Sequence, residues 1–166
     1  MAETKTLDDF LQLCVWDLAA GARLLARRTP AVADKADEPA LRHSLGQLRS
    51  EAETCADRLF ATTGERSGPE NLWMAGILDD AERDTRTLPV GPLLDLAIVG
   101  AIRKALQAQR ASLDTAQVVA RQLADSAAIA TLMSCREATE ARDRALFDLL
   151  GPLARTAGGA AGPGGA

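Results

Sequence analysis

Four stretches of the sequence repeat apolar residues at alternating steps of three and four, the spacing that places them on one face of an α-helix. The longest stretch runs from Leu93 to Asp125 and has no glycine or proline after Gly100. It predicts a helix of about 30 residues, roughly 45 Å long. Gln109 is the one polar member of its apolar row. The other members are Ile102, Leu106, Leu113, Ala116, Ala120 and Leu123.

Three further stretches predict long helices that pack beside the first. Their predicted bounds are Leu7 to Arg28, Pro39 to about Thr62, and Ala127 to Leu150. Thr6 and Ser126 are the expected N-caps of the first and last of these helices. Pro30 and the pair Gly151–Pro152 are expected to end the helices that precede them, because proline lacks the backbone donor of a helix interior.

A shorter amphipathic segment, Asn71 to Arg86, lies between the second and third long helices. Some four-helix bundles have a long crossover connection at this place. The sequence therefore predicts an all-α protein, a four-helix bundle with a short crossover helix between helices two and three. We expect the bundle to span residues 1–155 and residues 156–166, which are uncharged and rich in Gly, Ala and Pro, to form a disordered tail.

The composition excludes several classes of function. The net charge is −4, and no basic patch is interleaved with aromatic residues, so nucleic acid is not an expected partner. Charged residues interrupt every apolar stretch within about a dozen residues, too short a run to span a membrane, and the N-terminus lacks the pattern of a signal peptide. The three cysteines lack the spacing of a disulfide framework, which indicates a reduced, cytoplasmic protein.

The chain resembles the bacterial stress-associated ferritin-like proteins of the YciE/YciF type. The most specific piece is NLWMAGILDDAERD, residues 71–84, in which Met74, Gly76, Ile77 and Leu78 match the connector of that family. Three weaker pieces agree in order and spacing: LDDFLQLCVWDL, RLFATTGE and VVARQLAD. The resemblance implies a ferritin-like four-helix bundle, often dimeric, with a role in stress responses.

Ferritin-like proteins are best known for a two-metal centre, which needs a Glu from each of two helices and Glu-x-x-His from each of the other two. His43 is the only histidine, and the residue three before it is Ala40. Alignment on the apolar rows puts Ala22 where the family has its first-helix Glu. At the same level lie Leu106, Gln107, Gln109, Ala138 and Thr139. We therefore expect no metal, no cofactor and no oxidase chemistry.

The residues left at this level allow two other hypotheses. Glu51, Glu53 and Asp143 are the acids nearest to it, and they would form an atypical metal site. Gln109 is interpreted as a polar remnant that bonds to Thr139 across the bundle, and the alternative is that it binds a small molecule in a leftover cavity. The expected function is that of a non-catalytic structural or interaction protein in stress physiology. The alternatives are a metal-binding protein and a small-molecule binder.

Cys14, Cys55 and Cys135 fall on the inner rows of their helices, on the same side of the expected centre. We interpret them as small buried apolar side chains. The alternatives are a thiolate metal site and a redox pair.

Glycines and exposed apolar residues give further expectations. Gly21 and Gly46 stand inside unbroken helical patterns, so we expect each to allow close contact between helices. Trp16 lies off the inner row of the first helix. It is expected to pack under the connecting helix, or else to join Leu13 at the interface of a homodimer.

Overall fold

The computed structural model describes residues 4–63 and 70–160 and places five α-helices in this part of the chain. The helices are α1 (Leu7–Ala33), α2 (Pro39–Thr63), α3 (Leu72–Thr87), α4 (Pro92–Gln122) and α5 (Ser126–Ala160). No strand occurs among the described residues, and the prediction of four long helices and one connecting helix is confirmed. None of these helices offers a stretch long and apolar enough to cross a lipid bilayer.

The four long helices form two helical pairs. α1 packs along α2 and α4 packs along α5, and contacts of α1 with α4 and of α2 with α5 join the pairs. The connecting helix α3 lies against α1 and α4. The core consists of two clusters of buried side chains, one at each end of the bundle, and α3 contributes to one of them. The largest fully buried side chains are Leu18, Leu41, Leu45, Leu59, Met74, Leu78, Leu94, Ile98, Ile102, Leu113, Leu132 and Leu146.

Two predicted helix ends are wrong because both helices continue through a proline. α1 includes Pro30 and ends at Ala33, one turn beyond the predicted end at Arg28. α5 includes Pro152 and ends at Ala160 rather than at Leu150. In each case a core side chain follows the proline: Val32 is fully buried, and Leu153 is 4% exposed. Burial of these side chains offsets the hydrogen bond that each proline removes.

The last helix differs from the prediction at its other end as well. Its N-cap is Asp125 and not Ser126, because the Asp125 carboxylate accepts a hydrogen bond of 2.9 Å from the backbone N–H of Ala128. Residues 156–160, predicted to belong to the tail, are part of α5. The rest of the predicted tail lies outside the described residues. At the N-terminus Thr6 caps α1 as expected and forms a capping box with Asp9.

The connecting helix is held by its N-cap, its turn and an ion pair. Asn71 caps α3 by accepting from the Met74 N–H. The turn between α3 and α4 contains Gly91 at φ +141°, a conformation that suits glycine because it has no Cβ. Arg28 of α1 lies 2.7 Å from Asp79 and 2.7 Å from Glu82, both on α3. These contacts fix the side on which α3 crosses the bundle.

A buried carboxylate that the sequence did not reveal closes one end of the bundle. Asp95, in the first turn of α4, is 1% exposed. Its two oxygens each accept a 2.9 Å hydrogen bond, one from the N–H of Asp37 and one from the N–H of Glu38. These donors precede the first residue of α2, so the carboxylate of one helix caps the chain that enters another.

Replacing Asp95 with Ala is expected to lower the free energy of unfolding by about 1–3 kcal/mol, because two partly buried N–H groups lose their charged acceptor. Urea denaturation followed by circular dichroism measures the change. Glu53→Ala is the matched control, since Glu53 is an exposed carboxylate on α2. We expect its effect to stay within about 0.5 kcal/mol. Equal effects of the two substitutions would contradict a capping role for Asp95.

Candidate functional site

A small cavity lies at the centre of the bundle, where α1, α2, α4 and α5 meet. It measures about 20 Å³, room for about one water molecule. Most of the residues predicted to stand at the level of a two-metal centre line it: Ala22, Leu106, Gln109, Ala138 and Thr139. The prediction is wrong for Gln107, which is exposed and donates to Asp143 instead. The remaining lining residues are Leu25, Leu48, Glu51, Ala52, Cys55, Cys135 and Arg142. The sequence thus placed these residues and Glu51 near one another, but it did not reveal Arg142.

An arginine and a glutamate face each other in this cavity. Nε of Arg142 on α5 lies 3.0 Å from Oε2 of Glu51 on α2. Nη1 of Arg142 donates a hydrogen bond to Oε1 of Gln47. The Arg142 side chain is only 18% exposed, so its charge is largely shielded from water. Arg142 was missed from the sequence, although it continues the inward row of Cys135 and Thr139 at a step of three.

These residues do not fit a pair of metal ions. Glu51 is the only carboxylate on the cavity wall, and its charge is matched by the Arg142 guanidinium. A metal ion at this place would be repelled by the Arg142 guanidinium. It would also lack the carboxylates needed to compensate for the water that the ion loses on binding. Within residues 4–63 and 70–160, no three side chains of His, Cys, Asp or Glu come together in a way that could hold a metal ion.

The acids of the predicted atypical metal site are not brought together. Glu51 lines the central cavity, whereas Glu53 is exposed on the surface of α2. Asp143 accepts hydrogen bonds from Nε of Arg103 at 2.7 Å and from Nε2 of Gln107 at 2.8 Å. Each acid therefore has a different environment.

Gln109 is buried as predicted, but its predicted hydrogen bond to Thr139 is wrong. Nε2 of Gln109 donates to the backbone oxygen of Leu18 on α1 at 3.0 Å. The Thr139 hydroxyl instead donates to the backbone oxygen of Cys135, in its own helix, at 2.8 Å. The amide turns toward α1 because that helix approaches α4 closely at Gly21. A Cβ at Gly21 would stand 3.1 Å from Oε1 of Gln109.

The expectation that glycines allow close helix contact is confirmed for Gly21 and wrong for Gly46. A Cβ at Gly21 would also lie 3.0 Å from Nδ2 of Asn71. Gly46 is exposed, and a Cβ there would meet no atom of the described residues within 4 Å.

A polar cluster that the sequence did not reveal surrounds Gly21. Nδ2 of Asn71 donates to the backbone oxygen of Asp17 at 3.0 Å and to its Oδ1 at 2.9 Å. Nε1 of Trp73 donates to Oδ2 of Asp17 at 3.1 Å. Trp73 thus joins the connecting helix to α1. Trp16 was expected to do so, but it is 8% exposed and belongs to the core cluster that α3 does not enter.

Cys55 on α2 and Cys135 on α5 are joined by a disulfide. Their Cα atoms lie 5.6 Å apart, an ordinary distance for such a bond, and 80 positions separate them in the sequence. The prediction of reduced cysteines is wrong for this pair. The bond joins the two helical pairs, because α2 and α5 belong to different ones.

Cys14 is a free, half-buried thiol on α1. Burial raises its pKa, and the nearby negative charge of Asp17 raises it further. A raised pKa keeps the thiol protonated and less nucleophilic.

The disulfide also borders a groove on the outside of the bundle. The groove lies between α2 and α5 and measures about 290 Å³. Its lining residues are Ser50, Glu51, Thr54, Cys55, Arg58, Ser134, Cys135 and Ala138. Nη1 of Arg58 donates a 2.8 Å hydrogen bond to Oγ of Ser134, which ties the two walls of the groove together.

The helix order, the crossover and the level of the cavity define a ferritin-like bundle whose centre holds an ion pair and a disulfide. Residues 7–157 match the model of a domain of unknown function, DUF892, and the chain belongs to this family. No curated protein matches the sequence.

Two solved structures share the fold. The first is the stress protein YciF of E. coli, with a TM-score of 0.86 and 20% identity over 92% of this chain and 99% of that one. The second is YcfI of Rhodopseudomonas palustris, for which a structural role is suggested. It matches with a TM-score of 0.82 and 19% identity over 88% of this chain and 96% of its own. These similarities confirm the ferritin-like fold.

Removing the disulfide is expected to destabilise the oxidised protein. The double variant Cys55→Ser, Cys135→Ser should lose about 2–5 kcal/mol of unfolding free energy, because the bond closes a long loop in the unfolded chain. Guanidinium denaturation without reductant measures the loss. Cys14→Ser, which leaves the bond intact, is the control. If wild type and the double variant unfold at the same denaturant concentration, the bond does not constrain the chain.

Proposed function

We propose that this protein is a non-catalytic ferritin-like bundle with a degenerate metal centre, acting as a structural or interaction protein in a stress response. One observation carries the proposal: the guanidinium of Arg142 stands in the cavity where the fold would hold metal ions, 3.0 Å from Glu51. The side chains opposite it are apolar or amide groups, among them Ala22, Leu106 and Gln109.

Charge balance explains why this centre is stable without a metal. Partly buried carboxylates need a positive partner, and in two-metal proteins the ions supply it. Here Arg142 supplies the positive charge for Glu51. The guanidinium is covalently part of the chain, so the charge is present whenever the protein is folded.

The proposed role in stress rests on the family and on what is said of its members. YciF is described as a stress protein and YcfI as a structural one, and these are properties of those proteins. Their similarity in fold supports a comparable role here but names no partner. The cytoplasmic location expected from the sequence stays a prediction.

The two rival functions have weaker support. A drug-sized ligand needs a pocket of about 300–1,000 Å³, whereas the central cavity holds about 20 Å³. The atypical metal site needs Glu51, Glu53 and Asp143 within reach of one ion, and their environments differ.

Metal analysis of protein purified without chelator tests the proposal. We expect no stoichiometric metal and no ferroxidase turnover after aerobic loading with iron, because the centre lacks the carboxylates that bind it. Gln109→Leu should leave the metal content unchanged. It should lower the unfolding free energy by about 1 kcal/mol through loss of the bond to Leu18. Two equivalents of iron per chain with turnover above background would overturn the proposal.

We further propose that the chain forms a homodimer through the first turns of α1. Phe10 and Leu13 are 38% and 39% exposed and lie three residues apart on that helix, whereas Trp16 is buried and contributes nothing to this surface. Light scattering at micromolar concentration is expected to give the mass of a dimer. Phe10→Lys and Leu13→Lys should shift it to that of a monomer, while Val118→Lys, at an exposed position on α4, should not. A monomeric wild type would refute the proposal.

A further inference from the structure

The Cys55–Cys135 disulfide lies between the central cavity and the outer groove, and it lines both. Both cysteines line the central cavity, and both line the groove between α2 and α5. Cys55 is 9% exposed and Cys135 is 2% exposed. The groove is therefore the side from which a reagent would approach the bond, and Cys55 is the less buried of the two residues.

Cations lie on both sides of this bond. Arg58, one turn after Cys55 on α2, lines the groove. Arg142, two turns after Cys135 on α5, lines the cavity and is paired with Glu51. Glu51 also borders the groove, and Arg142 offsets its charge. A nearby cation favours the thiolate, which is both the leaving group and the nucleophile of thiol–disulfide exchange.

We propose that the Cys55–Cys135 pair is a thiol–disulfide exchange site that is reduced by a dithiol and reoxidised by hydrogen peroxide. In reduction, one thiolate of the dithiol attacks Sγ of Cys55. The S–S bond breaks, and Cys135 leaves as a thiolate that takes a proton. The second thiol of the reductant then attacks its partner sulfur and releases Cys55. The dithiol becomes a disulfide, and the protein gains two electrons and two protons.

Reoxidation takes a different path, with peroxide as the electron acceptor. The Cys55 thiolate attacks one oxygen of hydrogen peroxide, the O–O bond breaks, and the released hydroxide takes a proton to become water. Cys55 is then a sulfenic acid. Cys135 attacks its sulfur, hydroxide leaves and is protonated to a second water, and the disulfide forms again.

The exchange has a structural consequence. The bond joins α2 to α5 and so ties one helical pair to the other. In the reduced protein these pairs are held by packing and polar contacts alone. The dithiol form should therefore be less stable than the disulfide form and should open more readily along the α2–α5 groove.

Cys14 provides an internal comparison. It is also partly buried, but it lies on α1 and is not bonded to either of the other cysteines. Its pKa is raised by burial and by Asp17. We expect it to react slowly with peroxide and to take no part in the exchange.

Alkylation of the native protein with N-ethylmaleimide after treatment with dithiothreitol, read by intact mass, tests the proposal. The oxidised protein should accept at most one adduct, and the reduced protein two more. After removal of dithiothreitol, one equivalent of peroxide should form the bond again, and the protein should once more accept at most one adduct. Cys14→Ser should behave in the same way with one adduct fewer. A bond that opens only in denaturant, or peroxide that leaves both thiols free to alkylate, would overturn the proposal.

The role of Arg58 is tested separately, through the pH dependence of the reaction with peroxide. Arg58→Gln should move the rise in rate to higher pH, because the Cys55 thiolate loses a cation that favours it. Arg49→Gln, at an exposed position on the same helix, should leave the profile unchanged. Identical profiles for Arg58→Gln and wild type would show that Arg58 does not affect the reaction of Cys55 with peroxide.

Discussion

The close approach of α1 and α4 at Gly21 is the contact on which the centre of this bundle depends. Because residue 21 has no Cβ, Asn71 and Gln109 reach the backbone of α1 at Asp17 and Leu18. One side chain comes from the cap of the connecting helix and the other from the middle of α4. The absence of a side chain at residue 21 thus sets the position of the connecting helix α3 and the close approach of α4 to α1. Ala22, the next residue, lies on the wall of the central cavity.

Filling the centre of this bundle is a problem of charge as well as of volume. Ala22, Leu106 and Ala138 solve the volume problem with apolar side chains. Glu51 remains, and Arg142 places a permanent positive charge 3.0 Å from it. The pair is only partly buried, since the Glu51 side chain is 38% exposed, so it adds little net stability, and its main effect is to balance charge at the centre.

Much of this arrangement could be read from the sequence, because the spacing of apolar residues fixes which face of each helix points inward. That reasoning placed Gln109 in the core and Ala22 at the centre. It failed for features that depend on distances between helices. The partner of Gln109 is Leu18 and not Thr139, since only the structure shows how close α1 comes. Pro30 and Pro152 did not end their helices, because local proline rules were outweighed by burial of the residues that follow.

The cysteines also show which features the sequence could predict and which it could not. Their spacing placed all three thiols on one side of the centre but did not decide which of them bond. α2 is a neighbour of both α1 and α5, and only the structure shows that Cys55 bonds to Cys135 and leaves Cys14 on α1 free. The bond lies beside the ion pair of Glu51 and Arg142, on the wall of the same cavity. The centre of the bundle thus joins the two helical pairs by two different bonds. A salt bridge and a covalent bond both run between α2 and α5, and only the covalent one depends on the redox state of its surroundings.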